Sequence, residues 1–307
     1  MPRTSRPRTA LPPGLAGRPF VLASGAEAGL GRGRLAGPDL ARPTSGVRSA
    51  VPLTSVTERA WAYSLVLPPD VAFSGITAAA IWDLWLPWRL QRLGPLHVSR
   101  TSDRTRIRRA GVVGHRGLET CAVARVRGLR VVDLADTWCD LAAVATVDEL
   151  VVLGDCVAAR LGSVGPLTAR LRDRPRLPGR ERLRRALPEV RTGSRSPKET
   201  EARLLLTRAG LPEPELNAPV HDEHGGWLGE GDLVWAGPRV IGEYQGEAAH
   251  AGFRRRALDS RRAALFVDRG WKVVEVFADD LAIPALSHGL VLRVADRLGV
   301  DPTTLRL

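Results

Sequence analysis

The sequence predicts an α/β protein: a C-terminal mixed sheet flanked by helices, preceded by a small helical module and an α+β middle domain. Two observations predict this class. From residue 196 to the C-terminus, apolar runs of period two alternate with helical patterns in the order helix, strand, strand, strand, helix, strand, helix. Between residues 96 and 132, shorter alternating runs predict further strands, with helical patterns before and after them.

Composition and Pro/Gly punctuation divide the 307 residues into five segments. The first is basic and has almost no large apolar side chains, so it cannot offset the entropy of ordering and is predicted to be disordered. The predicted segments are the tail at 1–17, a winged-helix-like module at 18–55, an α+β domain at 56–162, an Arg-rich linker at 163–195 and the C-terminal domain at 196–307.

The formal net charge of +12 is carried almost wholly by arginine, which pairs bidentately with phosphate. Nucleic acid, DNA first, is therefore the expected partner. The alternative stays open that Arg-rich, Lys-poor usage reflects a GC-rich genome. No apolar run reaches the length of about 20 residues that spans a bilayer, and the N-terminus lacks the apolar core of a secretory signal, so a cytoplasmic protein without a membrane partner is expected.

The stretch from Gly231 to His250 organises the C-terminal domain. It predicts two short strands joined by a turn at Gly237-Pro238, and such a hairpin brings Asp232 and Glu243 together. Neighbouring carboxylates in an apolar ribbon cost free energy unless a cation neutralises them, which indicates a site for a hard divalent ion such as Mg²⁺. Gln245 lies on the same face as Glu243 because strand side chains repeat every second residue.

A further acid opens the helix that precedes these strands. Ser196 is a predicted N-cap, Pro197 occupies the first helical position and Glu199 follows in a capping-box arrangement. A capping glutamate needs no other role. The alternative, that Glu199 also lies beside the strand carboxylates, stays open.

These elements resemble the PD-(D/E)XK nuclease core and, more closely, the very-short-patch-repair-like (DUF559-type) nuclease domain found in actinobacterial proteins. Gln245 stands where the general nuclease pattern has lysine. The matching elements are Ser196-Pro197-Lys198-Glu199-Thr200, Asp232-Leu233, Glu243-Tyr244-Gln245-Gly246 and His250.

The resemblance implies a restriction-endonuclease-like fold and metal-assisted hydrolysis of phosphodiester bonds. It implies that Asp232, Glu243 and the Tyr244 carbonyl hold Mg²⁺, that Gln245 positions the attacking water and that His250 protonates the leaving oxygen. Glu199 completes the implied catalytic set. Outward-facing arginines on the next helix are predicted to contact nucleic acid: Arg254, Arg256 and Arg262.

The N-terminal module resembles that of AbiEi-type antitoxins, in which Leu-x-Gly-Pro-x-Leu-x-Arg-Pro precedes a Gly-Val strand. The matching residues are Leu35, Gly37, Pro38, Leu40, Arg42, Pro43, Gly46 and Val47. This resemblance implies DNA binding, with Arg32 and Arg34 among the expected phosphate contacts.

Two functions therefore follow as expectations. The first is a DNA-binding protein with a Mg²⁺-dependent endonuclease domain, acting in defence, repair or control of mobile elements. The alternative is a catalytically inactive, antitoxin-like transcriptional regulator of a type IV toxin-antitoxin system, with a toxin from the same operon as partner.

Two other residues are expected to be structural: Asp155, isolated in sequence, at a helix surface or cap, and His115, which has no second histidine at ligand spacing.

Overall fold

The computed structural model describes residues 9–91, 93–246 and 253–306, except for the side chains of residues 253–260. Contacts divide the chain into two compact units, residues 1–143 with 174–178, and residues 144–173 with 179–307. Helix makes up 43% and strand 19%, and the larger sheet of each unit is mixed. The predicted α/β class with mixed sheets is confirmed.

The first unit begins with short helices and a small antiparallel ribbon, followed by a five-stranded sheet with three helices. Its elements are α1 (Pro13–Ala16), β1 (Phe20–Val21), α2 (Leu22–Glu27), α3 (Arg32–Leu35), β2 (Val47–Arg48), α4 (Val56–Ser64), β3 (Ala72–Phe73), α5 (Gly75–Ile81), β4 (Leu96–Arg100), β5 (Val112–Arg116), β6 (Val123–Val126), β7 (Leu129–Val132) and α6 (Leu134–Leu141).

The N-terminal module of this unit has its own small core. Strands β1 and β2 pair antiparallel, and Leu35 and Leu40 pack with Phe20 beneath them. Leu11 and Leu15 pack against the same cluster, and α1 lies between residues 13 and 16. The prediction of a disordered tail is therefore corrected for residues 9–17, because the partly buried Leu11 and Leu15 pack on this core. The rest of the predicted tail, residues 1–8, lies outside the described residues.

The five-stranded sheet has the order β5-β4-β3-β7-β6. Strands β4 and β5 run parallel, as do β3 and β7, whereas β3–β4 and β6–β7 are antiparallel. A core of Phe73, Ile81, Leu96, Val98 and Val131 fills the space between the sheet and its helices. The predicted strands between residues 96 and 132 are confirmed.

The second unit contains a four-stranded sheet with helices on both faces. Its elements are α7 (Val147–Leu161), α8 (Gly165–Asp173), α9 (Arg180–Ala186), α10 (Pro197–Arg208), β8 (Glu215–His221), β9 (Trp227–Trp235), β10 (Val240–Gln245), α11 (Phe253–Asp268), β11 (Lys272–Phe277), α12 (Ala278–Ala282) and α13 (Pro284–Leu298). The predicted order of elements from residue 196 onward is confirmed; Pro284 divides the closing helix into α12 and α13.

The sheet of this unit has the order β11-β10-β9-β8, with β10 and β11 parallel and the other pairs antiparallel. Each face carries a separate core. Leu233, Trp235 and Val240 pack with helices α10 and α13. Val234 and Ile241 face the opposite side and pack with Phe266 of α11 and with Trp271, among others.

The segment predicted as an Arg-rich linker is largely helical. Helix α9 lies where a short helix was expected, whereas α8 was not predicted, and their buried leucines join them to the second unit. One arginine of this segment, Arg174, belongs to the first unit, where its guanidinium pairs with buried Asp136 at 3.1 Å and with Asp140 at 2.9 Å. Part of the positive charge in this segment is therefore taken up by internal ion pairs.

Asp155 of α7 is fully buried, so the expectation of a surface or capping role is wrong. Its carboxylate accepts hydrogen bonds from the Arg191 N–H at 2.7 Å, the Thr200 hydroxyl at 2.8 Å and the Arg203 guanidinium at 2.9 Å. The Arg203 side chain is itself only 2% exposed. Burial raises the pKa of Asp155, and the charge of Arg203 lowers it. The pair anchors α10 to α7.

Among the described residues, no single helix is both long enough and apolar enough to cross a membrane. The pair α7 and α8 meets that test only when taken together, and the two helices are bent by 117°.

We expect the Asp155→Ala variant to lose about 3–5 kcal/mol of unfolding free energy. It removes the buried carboxylate that pairs with Nη2 of Arg203, and the more exposed Glu213, 3.3 Å from Nη1, is then the carboxylate that pairs with this guanidinium. The matched control is Asp148→Ala on the same helix, whose ion pair with Arg208 is 64% and 40% exposed and contributes less than about 1 kcal/mol. Urea unfolding followed by circular dichroism measures both. Equal losses in the two variants would contradict the role assigned to Asp155.

Candidate active site on the C-terminal sheet

The pairing of β9 with β10 places two predicted site carboxylates on one face. Leu233 pairs with Gly242, so the next position in this register sets Asp232 opposite Glu243. Asp232 is two residues from Val234, and Glu243 is two residues from Ile241. Because strand side chains repeat every second residue, both carboxylates lie on the face that carries Val234 and Ile241, which α11 covers. The structure therefore brings Asp232 and Glu243 together as the sequence predicts.

Asp232 lies at the point where the regular ladder ends. Its Oδ2 atom accepts a hydrogen bond from the Tyr244 N–H at 2.8 Å, in place of a backbone pairing. Burial raises the pKa of Asp232 above its usual range, and the negative charge of Glu199 raises it further. The Tyr244 hydrogen bond and the charges of Arg262 and Arg195 act in the opposite direction without cancelling the rise.

Glu199 reaches the same region from helix α10 and is 7% exposed. Ser196 caps the helix by accepting the Glu199 N–H at 3.2 Å. The Glu199 carboxylate accepts the N–H of Arg195 at 2.8 Å and the side-chain amide of Asn217 at 2.6 Å. Ser196 is therefore the N-cap that the sequence predicts. Glu199 also lies close enough to Asp232 to affect the pKa of Asp232.

Glu243 is 6% exposed and forms an ion pair with Arg262, whose Nη2 lies 2.6 Å from Oε2 of the carboxylate. Gly229 on β9 provides the space for this pair. A Cβ atom at that position would lie 3.2 Å from the Phe266 ring and 3.7 Å from Cδ of Arg262. The bare backbone of β9 thus lets α11 pack closely enough for Arg262 to reach Glu243.

Arg195 and Asn217 are site residues that the sequence analysis did not single out. Arg195 donates to Glu230 at 2.5 Å, and Glu199 and Asp232 are among the acids that raise the pKa of Arg195. Asn217 has φ of +46°, a left-handed conformation that asparagine tolerates. Residue 217 lies inside a predicted strand, and the alternation of apolar residues does not show that the backbone is irregular there.

Gln245 follows on the same face of β10, and its side-chain amide lies 3.4 Å from Oε1 of Glu275 on β11. This is a long contact, and it involves no cation. The position therefore supplies a neutral hydrogen-bond donor where the resembling nuclease pattern has a lysine ammonium.

Hard oxygen donors dominate this site, which is the chemistry that Mg²⁺ prefers. Within the described part of the chain, no three His, Cys, Asp or Glu side chains are arranged to hold a metal ion. The guanidinium of Arg262 provides the positive charge beside Glu243. The donor chemistry of Asp232, Glu243 and the Tyr244 carbonyl fits Mg²⁺, provided that Arg262 yields its place on Glu243.

The other predicted site residues are distributed differently. His250 lies outside the described residues, as do the side chains of Arg254 and Arg256. In the first unit Arg32 is exposed. Arg34 is bound internally: its guanidinium pairs with Asp39 at 2.9 Å, its Nε donates to the Thr9 carbonyl at 2.6 Å, and the side chain is 12% exposed. Arg34 thus stabilises its module, which corrects its expected role as an open phosphate contact.

Comparison with known proteins found two relatives in Mycobacterium tuberculosis. The chain is 37% identical over 98 residues to "Uncharacterized protein MT2308" of strain CDC 1551 / Oshkosh and, equally, to "Uncharacterized protein Rv2248" of strain ATCC 25618 / H37Rv. The aligned stretch covers 32% of this chain and 36% of each relative, so the chain spans about a third of the length of the curated relatives it matches. No protein-family model and no solved structure matches.

The raised pKa of Asp232 makes a prediction about stability. Because the folded protein binds this proton more tightly than the unfolded chain does, stability is lost as pH rises from the usual aspartate range through the raised pKa. We expect Asp232→Asn to remove that loss and to unfold with a free energy on the order of 1 kcal/mol higher than the wild type at pH 7. The gain should disappear at low pH.

Urea unfolding across a pH series tests this expectation. Glu230→Gln is the control: it lies on the same strand, but its carboxylate is exposed and its pKa is lowered by Arg195, so this variant should gain nothing at pH 7. A pH-independent difference between Asp232→Asn and the wild type would show that the Asp232 charge carries no cost in the fold.

Proposed function

We propose that the C-terminal unit is a Mg²⁺-dependent endonuclease that hydrolyses phosphodiester bonds in DNA. One observation carries the proposal: Asp232 and Glu243 share one face of the sheet, and Glu199 on a separate helix acts on the pKa of Asp232. Placing several carboxylates close together costs free energy, and functional sites are where proteins commonly bear that cost. Hydrolysis assisted by a divalent metal needs a cluster of carboxylates to bind the ion. The resemblance of the surrounding motifs to very-short-patch-repair-like nucleases supports the same reaction.

Asp232, Glu243 and the carbonyl of Tyr244 are the groups that would hold the ion. Mg²⁺ would supply Lewis-acid chemistry there, polarising the scissile phosphate and lowering the pKa of a nearby water molecule. Tyr244 contributes in a second way, because its N–H fixes the orientation of the Asp232 carboxylate. Glu199 on α10 accepts hydrogen bonds from Asn217 and from the Arg195 backbone, and its carboxylate adds negative charge to the site.

The protein groups have distinct tasks in the hydrolysis. The side-chain amide of Gln245 orients the attacking water. The water oxygen forms a bond to phosphorus and its proton passes to solvent, as the bond between phosphorus and the leaving oxygen breaks. His250, the acid implied by the family resemblance, protonates that leaving oxygen. The charges of Arg195 and Arg262 lie close enough to Asp232 to lower its pKa. The same two guanidinium groups neutralise the charge that develops on the phosphoryl oxygens.

A nucleic-acid substrate is supported by charge. The net charge of +12 favours a polyanion, and Arg32 in the first unit is exposed. A specific observation also favours a second candidate, an inactive antitoxin-like DNA-binding regulator: Gln245 supplies no positive charge beside the acids. A toxin encoded in the same operon would be the partner in that case.

Cleavage of supercoiled plasmid in the presence of Mg²⁺ separates the two candidates. We expect the wild-type protein to nick the plasmid, and the Asp232→Asn and Glu243→Gln variants to lose activity on the order of 100-fold or more, because each removes a charged oxygen donor. Glu223→Gln, which changes an exposed loop carboxylate, should leave the rate unchanged.

A plasmid that is bound but not cut by the wild-type protein would favour the regulator. Nicking that persists in both Asp232→Asn and Glu243→Gln would place the chemistry elsewhere, or in a contaminant.

Arg262 gives a test that does not depend on turnover. Because its guanidinium competes with a cation for Glu243, we expect Arg262→Gln to bind Mn²⁺ about tenfold more tightly than the wild type, while nicking becomes slower through loss of a phosphate-neutralising charge. Arg261→Gln is the matched control, since Arg261 is the exposed neighbour on the same helix. Titration calorimetry measures the affinity, and an unchanged value in Arg262→Gln would rule out competition at Glu243.

A further inference from the structure

A pair of histidines lies on the five-stranded sheet of the first unit. His97 on β4 and His115 on β5 belong to neighbouring parallel strands, in a register that pairs Ser99 with His115. His97 and Ser99 point to one face, so the two imidazoles are diagonal neighbours on that face. Nδ1 of His97 lies 3.1 Å from Nε2 of His115. The second histidine that the sequence analysis did not find beside His115 is thus supplied by an adjacent strand.

We propose that His97 and His115 form a binding site for a borderline divalent transition metal such as Zn²⁺ or Ni²⁺. The distance between the nitrogens is the basis. Metal–nitrogen bonds of about 2.0–2.1 Å place two ligands of one ion about 2.9 Å apart at 90° and about 3.3 Å apart at the tetrahedral angle. The observed 3.1 Å lies between these values. The ring planes are inclined by 22° with their centroids 5.2 Å apart, and the two nitrogens share a hydrogen bond whose donor depends on the tautomer. A bound ion would replace the proton between the two nitrogens, at a nitrogen separation that suits chelation.

The surroundings fix the backbone at His97 and leave room beside its ring. The His97 N–H donates to the buried Thr77 hydroxyl at 2.8 Å, which fixes the strand position. Gly75 has no side chain where a Cβ atom would lie 3.7 Å from Nδ1 of His97. His115 is an exposed residue, so an ion can reach its partly buried ring from solvent.

The charges around the pair are compatible with a cation. The carboxylate of Asp140 acts on His115 with negative charge, and the positive charge of Arg106 opposes it. Partial burial lowers the pKa of both imidazoles, which favours the neutral ring. A neutral ring nitrogen is the form that binds a metal. In the bound state each ring carries its proton on the nitrogen that faces away from its neighbour.

Two thiols of the same unit do not offer the same chemistry. Burial raises the pKa of Cys121 and Cys139 to about 12, so these thiols remain protonated at neutral pH and are poor ligands. The candidate active site is built from oxygen donors, which favour Mg²⁺ over a borderline ion. The histidine site is therefore independent of the proposed nuclease activity, and excess Mg²⁺ in the assay keeps the two apart.

The experiment is a Zn²⁺ titration of the full chain by calorimetry at pH 7.5 with millimolar Mg²⁺ present. We expect one Zn²⁺ per chain, and a loss in affinity of at least tenfold in His97→Gln and in His115→Gln, because each keeps a polar side chain but removes a ring ligand. His224→Gln is the control; its ring lies in an exposed loop of the second unit and is 80% exposed. Circular dichroism verifies that each variant is folded.

Two further readouts make the result decisive. Co²⁺ substituted for Zn²⁺ should show a spectrum without thiolate charge transfer, and NMR of the wild-type histidine rings should show Zn²⁺-dependent shifts at two rings only. The NMR result stands even if a variant fails to fold. Wild-type protein that binds no Zn²⁺, or binding that is equally strong in His97→Gln and His115→Gln, overturns the proposal.

Discussion

The pairing of β9 with β10 is the constraint on which the candidate site depends. Side chains alternate along a strand, so the register that pairs Leu233 with Gly242 also puts Asp232 and Glu243 side by side on the α11 face. A slip of one residue in either strand would move its carboxylate to the apolar face against α10 and α13. The apolar alternation of Val234 and Ile241 with their neighbours resists that slip, because it would expose a core.

Burying acids together has a cost, and this unit offsets it with arginine. Arg262 pairs directly with Glu243, while Arg195 acts on Asp232 through its charge and is itself held by Glu230. The raised pKa of Asp232 shows that the offset is incomplete. The remaining cost in free energy is one that the proposed Mg²⁺ ion would reduce.

Helix α10 joins this chemistry to the stability of the unit. Successive residues on a helix diverge by about 100°, so Glu199 and Thr200 point in different directions. Thr200 and Arg203 turn toward α7 and bind Asp155, while Glu199 turns toward Asn217 on β8. The buried Asp155 network therefore fixes the helix that carries the third acid, and the Ser-Pro-x-Glu-Thr motif combines a cap, a site acid and an anchor.

The sequence by itself determined the elements and their order from residue 196 onward, the hairpin and the shared face of its two acids. These features follow from turn chemistry and from periodicity within a few residues, which is local information. The tertiary structure alone decided which polar groups meet. Arg203 binds Asp155 across 48 residues, and His97 meets His115 across 18, through packing and strand register that no local pattern encodes. Arg34 likewise looked like an open cation in sequence, and only the folded module shows that Asp39 takes up its charge, because burial and pairing arise from contacts between elements.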